Sequence, residues 1–181
     1  FVPIGILLSL VTLASLEPLG SQTIDSLAFK DLQFRMAGPF RGGRSSAVTG
    51  FPANQDRWLM GTTGGGVWET TDNGISWQNI SDGFFGGSIG AVRIADSDPN
   101  VIYVGQGSTD IRGNTSTGRG MWKSMDAGRT WGFIGLPEAG QIGRIEVHPG
   151  NHNLVYVAAL GHPFGKNPER GIFRSGDGGE T

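Results

Sequence analysis

The sequence predicts an all-β fold: a β-propeller of four-stranded antiparallel blades, with about three blades present and the third incomplete. Three observations lead there. Glycine is abundant, at 32 of 181 residues, and short apolar runs are spread between the glycines. Many tight turns between short strands are the pattern of an all-β chain. One motif also recurs three times at a nearly fixed period, as Val67–Trp77 (VWETTDNGISW), Met121–Trp131 (MWKSMDAGRTW) and Ile172–Thr181 (IFRSGDGGET). Finally, each repeat holds four short strand-like runs, and four strands per 40–50 residues is the arithmetic of a propeller blade.

The repeat aligns without gaps on Asp72, Asp126 and Asp177, spaced by 54 and 51 residues. Its shared pattern is aromatic, any, Ser/Thr, any, Asp, any, Gly, any, Ser/Thr, Trp. The similarity extends upstream. Ile89–Ile94 matches Ile142–Val147 as an alternating run. The turns Pro52-Ala53-Asn54, Asp98-Pro99-Asn100 and Pro149-Gly150-Asn151 follow, and then the apolar runs Trp58–Met60, Val101–Val104 and Leu154–Val157. The expected blades span about 45–82, 88–136 and 141–181, within a partial propeller over 31–181. Three blades, the last incomplete, do not close a ring of 4–8.

In each repeat the Asp is expected to fix a hairpin between the third and fourth strands by bonding backbone N–H groups. The glycines Gly74, Gly128 and Gly179 are expected to take a positive φ, which costs them nothing sterically. Trp77 and Trp131 are expected to fill space between blades. These residues are read as structural. Tyr103 and Tyr156 hold matching places in the second strand of two repeats and are read as core.

Composition removes several function classes. Charge is nearly balanced, at 14 Lys+Arg against 16 Asp+Glu, without the clustered basic surface that nucleic-acid binding requires. With no cysteine there is no disulfide, thiolate site or Cys nucleophile. His148, His152 and His162 lie close in sequence without a supporting carboxylate pattern, so no metal is expected. Gly105-x-Gly107 lacks the third glycine of a dinucleotide loop, and Gly64-Gly65-Gly66 lacks the Lys-Ser/Thr of a phosphate loop. No cofactor is expected.

The chain begins at Phe1, and Ile4–Leu16 carries no charge over thirteen residues. That length suits the apolar region of a signal peptide and falls short of the roughly 20 residues of a membrane span. A signal peptide over 1–22, with its start upstream, is therefore expected, and with it a secreted or periplasmic location and no membrane span.

The repeats resemble the Asp-box of bacterial neuraminidase repeats. Together with Gly38–Arg44 (GPFRGGR), Gly64–Trp68 (GGGVW), Ile111–Asn114 (IRGN) and Ala158–His162 (AALGH), the chain is similar to large exported bacterial proteins that carry sortilin-like propeller domains and are commonly described as glycosyl hydrolases. The resemblance implies that the rest of a longer chain is the principal partner. Asp-box proteins include sialidases, xyloglucan-cleaving hydrolases and sortilin-type receptors, so the resemblance speaks for fold more than for function. Xyloglucan-cleaving members carry a catalytic Asp in a Thr-Asp-x-Gly-Gly context. The corresponding stretch here is Thr62–Gly66, with Thr63 in that place, and Thr is no general base near neutral pH. No catalytic residue is assigned.

Two polar loops follow the second strands of the later repeats. Gly105–Gly120 holds Asp110, Arg112 and Asn114, and Gly161–Gly171 holds His162. With Arg41 and Arg44 these residues are the candidate ligand-binding set, because ligands gather on the loops at one face of a propeller. The expected function is a secreted binding scaffold of sortilin-like type for a peptide, protein or glycan. The alternative is a glycoside hydrolase acting on extracellular polysaccharide.

Overall fold

The computed structural model describes residues 43–181, together with Asp25 and Lys30. The expected signal segment and Arg41 lie outside the described residues. Residues 43–181 fall in one compact unit of strands and turns.

The first sheet contains Ser45–Phe51 (β1), Asn54–Thr62 (β2), Val67–Thr70 (β3) and Gln78–Asn79 (β4), in the order β1-β2-β3-β4. The second repeats it with Ile89–Ala95 (β5), Asp98–Gln106 (β6), Met121–Ser124 (β7) and Gly132–Gly135 (β8). The third contains Ile142–His148 (β9), Asn151–Ala159 (β10) and Gly171–Ser175 (β11), in the order β11-β10-β9. All pairings are antiparallel between sequence neighbours.

Register makes the blades superimposable. Leu59 pairs with Glu69, Tyr103 with Lys123, and Tyr156 with Arg174. Leu59, Tyr103 and Tyr156 are thus one position in three copies. The sequence expectation put Asp98-Pro99-Asn100 in a turn, but the turn is Asp96–Ser97 and Asp98 already begins β6. The reason is an Asx bond: the Asn100 N–H donates to Asp98 Oδ1 at 3.0 Å, which bends the start of the strand instead of ending it. Asn54 and Asn151 accept in the same way from Asp56 and Asn153.

Side chains alternate across each sheet, so a blade between two others buries both faces. In β6, Ile102 and Val104 join the cluster shared with the first blade, while Val101 and Tyr103 join the cluster shared with the third. That double burial is why Val101–Val104 is apolar without a break. Among the described residues, the first and third sheets each pack one face against the second. Val48 is 66% exposed where its counterparts Val92 and Ile145 are buried, and Ile172 is 73% exposed where Met121 and Val67 are buried. Tyr103 is fully buried, whereas Tyr156 is 43% exposed.

Close approach of the inner strands depends on small residues. A Cβ on Gly105 would lie 2.4 Å from Ile142 Cγ2, and one on Gly61 2.6 Å from Ile89 Cγ2. The first strand of each later blade therefore rests on a glycine in the second strand of the blade before it.

The Asp hairpins are built identically. Asp72 Oδ1 accepts from the Ser76 N–H at 2.9 Å and Oδ2 from the Ser76 hydroxyl at 2.6 Å. Asp126 does the same with Thr130, at 2.8 and 2.6 Å. The bond thus closes four residues on, from each motif Asp to the Ser or Thr that precedes the motif Trp position. The Ser/Thr two residues before each Asp does the complementary work: Thr70 Oγ1 and Ser124 Oγ each accept from the motif glycine at 2.8 Å. Gly74, Gly128 and Gly179 have φ of 91°, 90° and 94°, a region that a side chain resists. One main-chain bond ties each hairpin to its own second strand: Asn73 to Asp56, Ala127 to Asn100 and Gly178 to Asn153.

Candidate functional site

Antiparallel order sorts the loops. The Asp hairpins and the turns within β1–β2, β5–β6 and β9–β10 share one end of the blades. The loops after β2, β6 and β10 and the links between blades share the other, called here the upper face. Every candidate ligand residue among the described residues lies on the upper face.

Arg44, just before β1, is exposed, and its carbonyl accepts from the Thr63 N–H at 2.9 Å. Thr63 is half-buried beside Gly64-Gly65-Gly66, where the Gly66 N–H donates to the Gly87 carbonyl at 3.0 Å. Asp110 and Asn114 are exposed on the loop after β6. Arg112 is half-buried there, and Thr115 pins its backbone, accepting from its N–H at 3.1 Å and donating to its carbonyl at 2.6 Å. His162 packs its ring against Gly140 and lines a cavity of about 280 Å³ with Thr115, Thr117, Gln141 and Phe164. The structure therefore brings His162 to the Asn114 loop. Arg44 belongs to another blade, and Arg144 pairs with Glu146 at 2.6 Å on the exposed face of the third, so these arginines do not converge.

A second cavity of about 350 Å³ adjoins the first, since Thr117 lines both. It is bounded by Phe84, Phe85, Gln106, Arg119 and Trp122. Phe84 is exposed, whereas Phe85 is buried and stacks on Trp122 at 4.8 Å between ring centroids. The two adjoining cavities, called here the groove, are each lined by one exposed phenylalanine, Phe164 in the first and Phe84 in the second. No carboxylate lines either cavity.

Two glutamines lie beneath this groove. Gln106 is fully engaged. Its Nε2 donates to the Gly86 carbonyl at 2.6 Å, and its Oε1 accepts from the Arg119 N–H at 3.2 Å and the Trp122 indole at 3.1 Å. Gln141, only 1% exposed, has no hydrogen-bond partner on either side-chain atom. Ser88 precedes β5 as Gln141 precedes β9, and its buried hydroxyl is also unpartnered. Sequence reasoning passed over Gln141, Phe164 and Phe84. The repeat alignment marks the position before each inner strand, but nothing local reports its burial.

The hairpin carboxylates are committed elsewhere. The Ser76 hydroxyl and N–H, then the Thr70 hydroxyl, hold Asp72 down at about 2. Thr130 does the same for Asp126, also to about 2, and Thr181 and Ser175 lower Asp177 further. Carboxylates saturated with donors stay ionised and do not exchange protons near neutral pH. Among the described residues no group of three His, Cys, Asp or Glu side chains is placed to hold a metal ion, and no helix is long and apolar enough to cross a membrane.

No protein-family model matches the chain. The xyloglucanase of Hypocrea jecorina (strain QM6a) is 30% identical over 122 residues, covering 59% of this chain and 13% of that protein. Among solved structures, an ancestral GH74 enzyme superimposes with a TM-score of 0.60 at 21% identity, over 75% of this chain and 18% of that one. The GH74 enzyme of Niastella koreensis superimposes with a TM-score of 0.50 at 21% identity, over 63% of this chain and 17% of its own. The chain thus spans less than a fifth of the length of each of these proteins. At such identities the structural likeness bears on the fold. With the repeated sheets and their shared register, it makes the described residues successive blades of a β-propeller like those of the GH74 enzymes.

Proposed function

We propose that this chain forms part of an extracellular glycoside hydrolase-like propeller and supplies the surface that holds a polysaccharide. The observation that carries this reading is the 30% identity with a xyloglucanase. The upper-face groove supports it: uncharged along most of its length and flanked by Phe84 and Phe164, it suits a neutral polymer better than a charged peptide. Arg44, Asp110, Arg112, Asn114 and His162 are proposed as the rim residues around it. The three Asp hairpins are proposed to be of the Asp-box type, and export is proposed to follow from the segment 1–22.

Most glycoside hydrolases use two carboxyl groups flanking the scissile bond. The groove offers none, so the acid pair is proposed to come from other parts of the complete protein. Thr63 favours a second reading, a sortilin-like scaffold that binds without cleaving, because a hydroxyl stands where the resemblance leads one to expect an Asp. One experiment separates the two. The complete protein is incubated with xyloglucan, and reducing ends and retention in affinity electrophoresis are measured together. Release of reducing ends supports the hydrolase. Retention without release supports the scaffold, and neither sinks both.

A further inference from the structure

We propose that Asn73 is a modification site, whose carboxamide converts to a carboxylate by reaction with water at a rate set by the Thr70 hydroxyl. The inference concerns the first Asp hairpin and is independent of any ligand on the upper face.

The hairpin carries a reactive pair. Asn73 is the one asparagine of the chain that precedes a glycine. Asparagine is among the thermally labile side chains, and a following glycine has no Cβ to obstruct approach to the asparagine Cγ. Asn73 and Gly74 are both exposed. The Asn73 main chain is engaged, its N–H donating to the Asp56 carbonyl at 2.9 Å, but none of the hydrogen bonds that close the hairpin uses its carboxamide.

The chemistry needs only water. Hydroxide takes the proton of the Gly74 nitrogen, which attacks Asn73 Cγ. A carbon–nitrogen bond forms, the bond to the carboxamide nitrogen breaks, and ammonia leaves with a proton from water. Water then opens the cyclic imide at either carbonyl. One opening leaves an ordinary Asp at 73. The other routes the main chain through the side chain and lengthens it by one methylene.

The fold withholds the nucleophile. The Gly74 N–H donates to Thr70 Oγ1 at 2.8 Å, and Thr70 is 2% exposed. The Thr70 hydroxyl is itself fixed, donating to Asp72 Oδ1 at 2.7 Å. Asn73 and Gly74 are also held left-handed, at φ of 56° and 91°. The Gly74 nitrogen therefore reacts only when the hairpin opens locally.

The other two hairpins share the lock and lack the target. Gly128 and Gly179 donate to Ser124 and Ser175 at 2.8 Å. Ala127 and Gly178, at φ of 59° and 74°, stand where Asn73 does, and neither has a carboxamide. Asn is accepted at this position because it tolerates the left-handed region. The first hairpin alone joins that conformation to a labile amide.

The test follows conversion at residue 73 by peptide mass spectrometry in the complete protein at pH 8, folded and in urea, for the parent, Thr70→Val and Thr70→Ser. Asn73 is expected to convert ahead of every other asparagine, and more slowly folded than in urea. Thr70→Val is expected to convert about fivefold faster than the folded parent, through the loss of one hydrogen bond. Thr70→Ser keeps the hydroxyl found in the other two hairpins and is expected to match the parent. Deuterium exchange of the Gly74 amide in the parent supplies a check that holds even where Thr70→Val fails to fold: its open fraction is expected to equal the ratio of folded to unfolded conversion rates. Conversion of the folded parent at the unfolded rate, Thr70→Ser converting faster than the parent, or an open fraction that departs from that ratio overturns the proposal. So does earlier conversion at another asparagine.

Discussion

Tyr103 donates its phenolic hydrogen to the His152 carbonyl at 2.8 Å, reaching from the second strand of one blade to the second strand of the next. Lys123 Nζ reaches across the same junction to the Gly178 carbonyl at 3.0 Å. Arg57 crosses the earlier junction to the Ala127 carbonyl at 3.2 Å, while its guanidinium pairs with Glu69 at 2.6 Å and lies 3.8 Å over the Phe51 ring. Different side chains thus fasten the two junctions to the same place, the residue after the motif Asp.

Tyr103→Phe tests the later junction. Losing the hydrogen bond is expected to cost about 1 kcal/mol at neutral pH. Burial, and secondarily the Asp177 carboxylate, pushes the Tyr103 phenol up to about 12. A group raised in the folded state stabilises fully below its unfolded value, near 10, and loses that contribution as pH climbs toward 12. Urea denaturation at pH 8 and pH 11.5 is expected to show a loss of stability in the parent that the Phe variant largely lacks.

The hairpin carboxylates set the acid limit. Asp72 and Asp126, held at about 2, contribute stability above their ordinary value near 3.8. That contribution fades as pH falls from about 4 through 2. Asp126→Asn is expected to be less stable than the parent at pH 7 and to change less between pH 4 and pH 2, as followed by circular dichroism in a denaturant series.

Gly105→Ala tests the seat of β9. The added methyl meets Ile142 at 2.4 Å, and overpacking of this kind costs about 1–3 kcal/mol. On an Ile142→Ala background the same change is expected to cost less, because the facing Cγ2 is gone. A double-mutant cycle with zero coupling would contradict the contact.

Trp131 and Trp77 hold one motif position and are expected to differ in weight. Trp131 is buried, donates its indole N–H to the Ile80 carbonyl at 2.9 Å, and meets Phe85 edge-on at 5.4 Å. Trp77 is half-buried. Trp131→Ala is expected to cost about 3–5 kcal/mol and Trp77→Ala clearly less, compared by thermal denaturation.

The architecture was legible because its signals are local and repeated. The Ser/Thr-x-Asp-x-Gly spacing closes a hairpin by itself, and three copies at near-equal intervals announce one unit used again. Burial across a blade junction is not local. Tyr103 and Tyr156 look equivalent in sequence, yet one is covered by the following blade and the other is exposed. Gln141 and Phe164 were invisible for the same reason. The cavity they line joins two loops about fifty residues apart, and the residue that braces it, Arg170, acts on three main-chain carbonyls that carry no sequence signature.

The repeated junction has a consequence for how the molecule opens. Each blade is fastened only to its neighbours, so local opening behaves as a one-dimensional chain of coupled units. Amide protons of β6, clamped on both sides through Ile102 and Tyr103, are expected to exchange slowly with deuterium. Weakening Tyr103 is expected to accelerate exchange in β6 and β10, the two strands it joins, before it reaches β2.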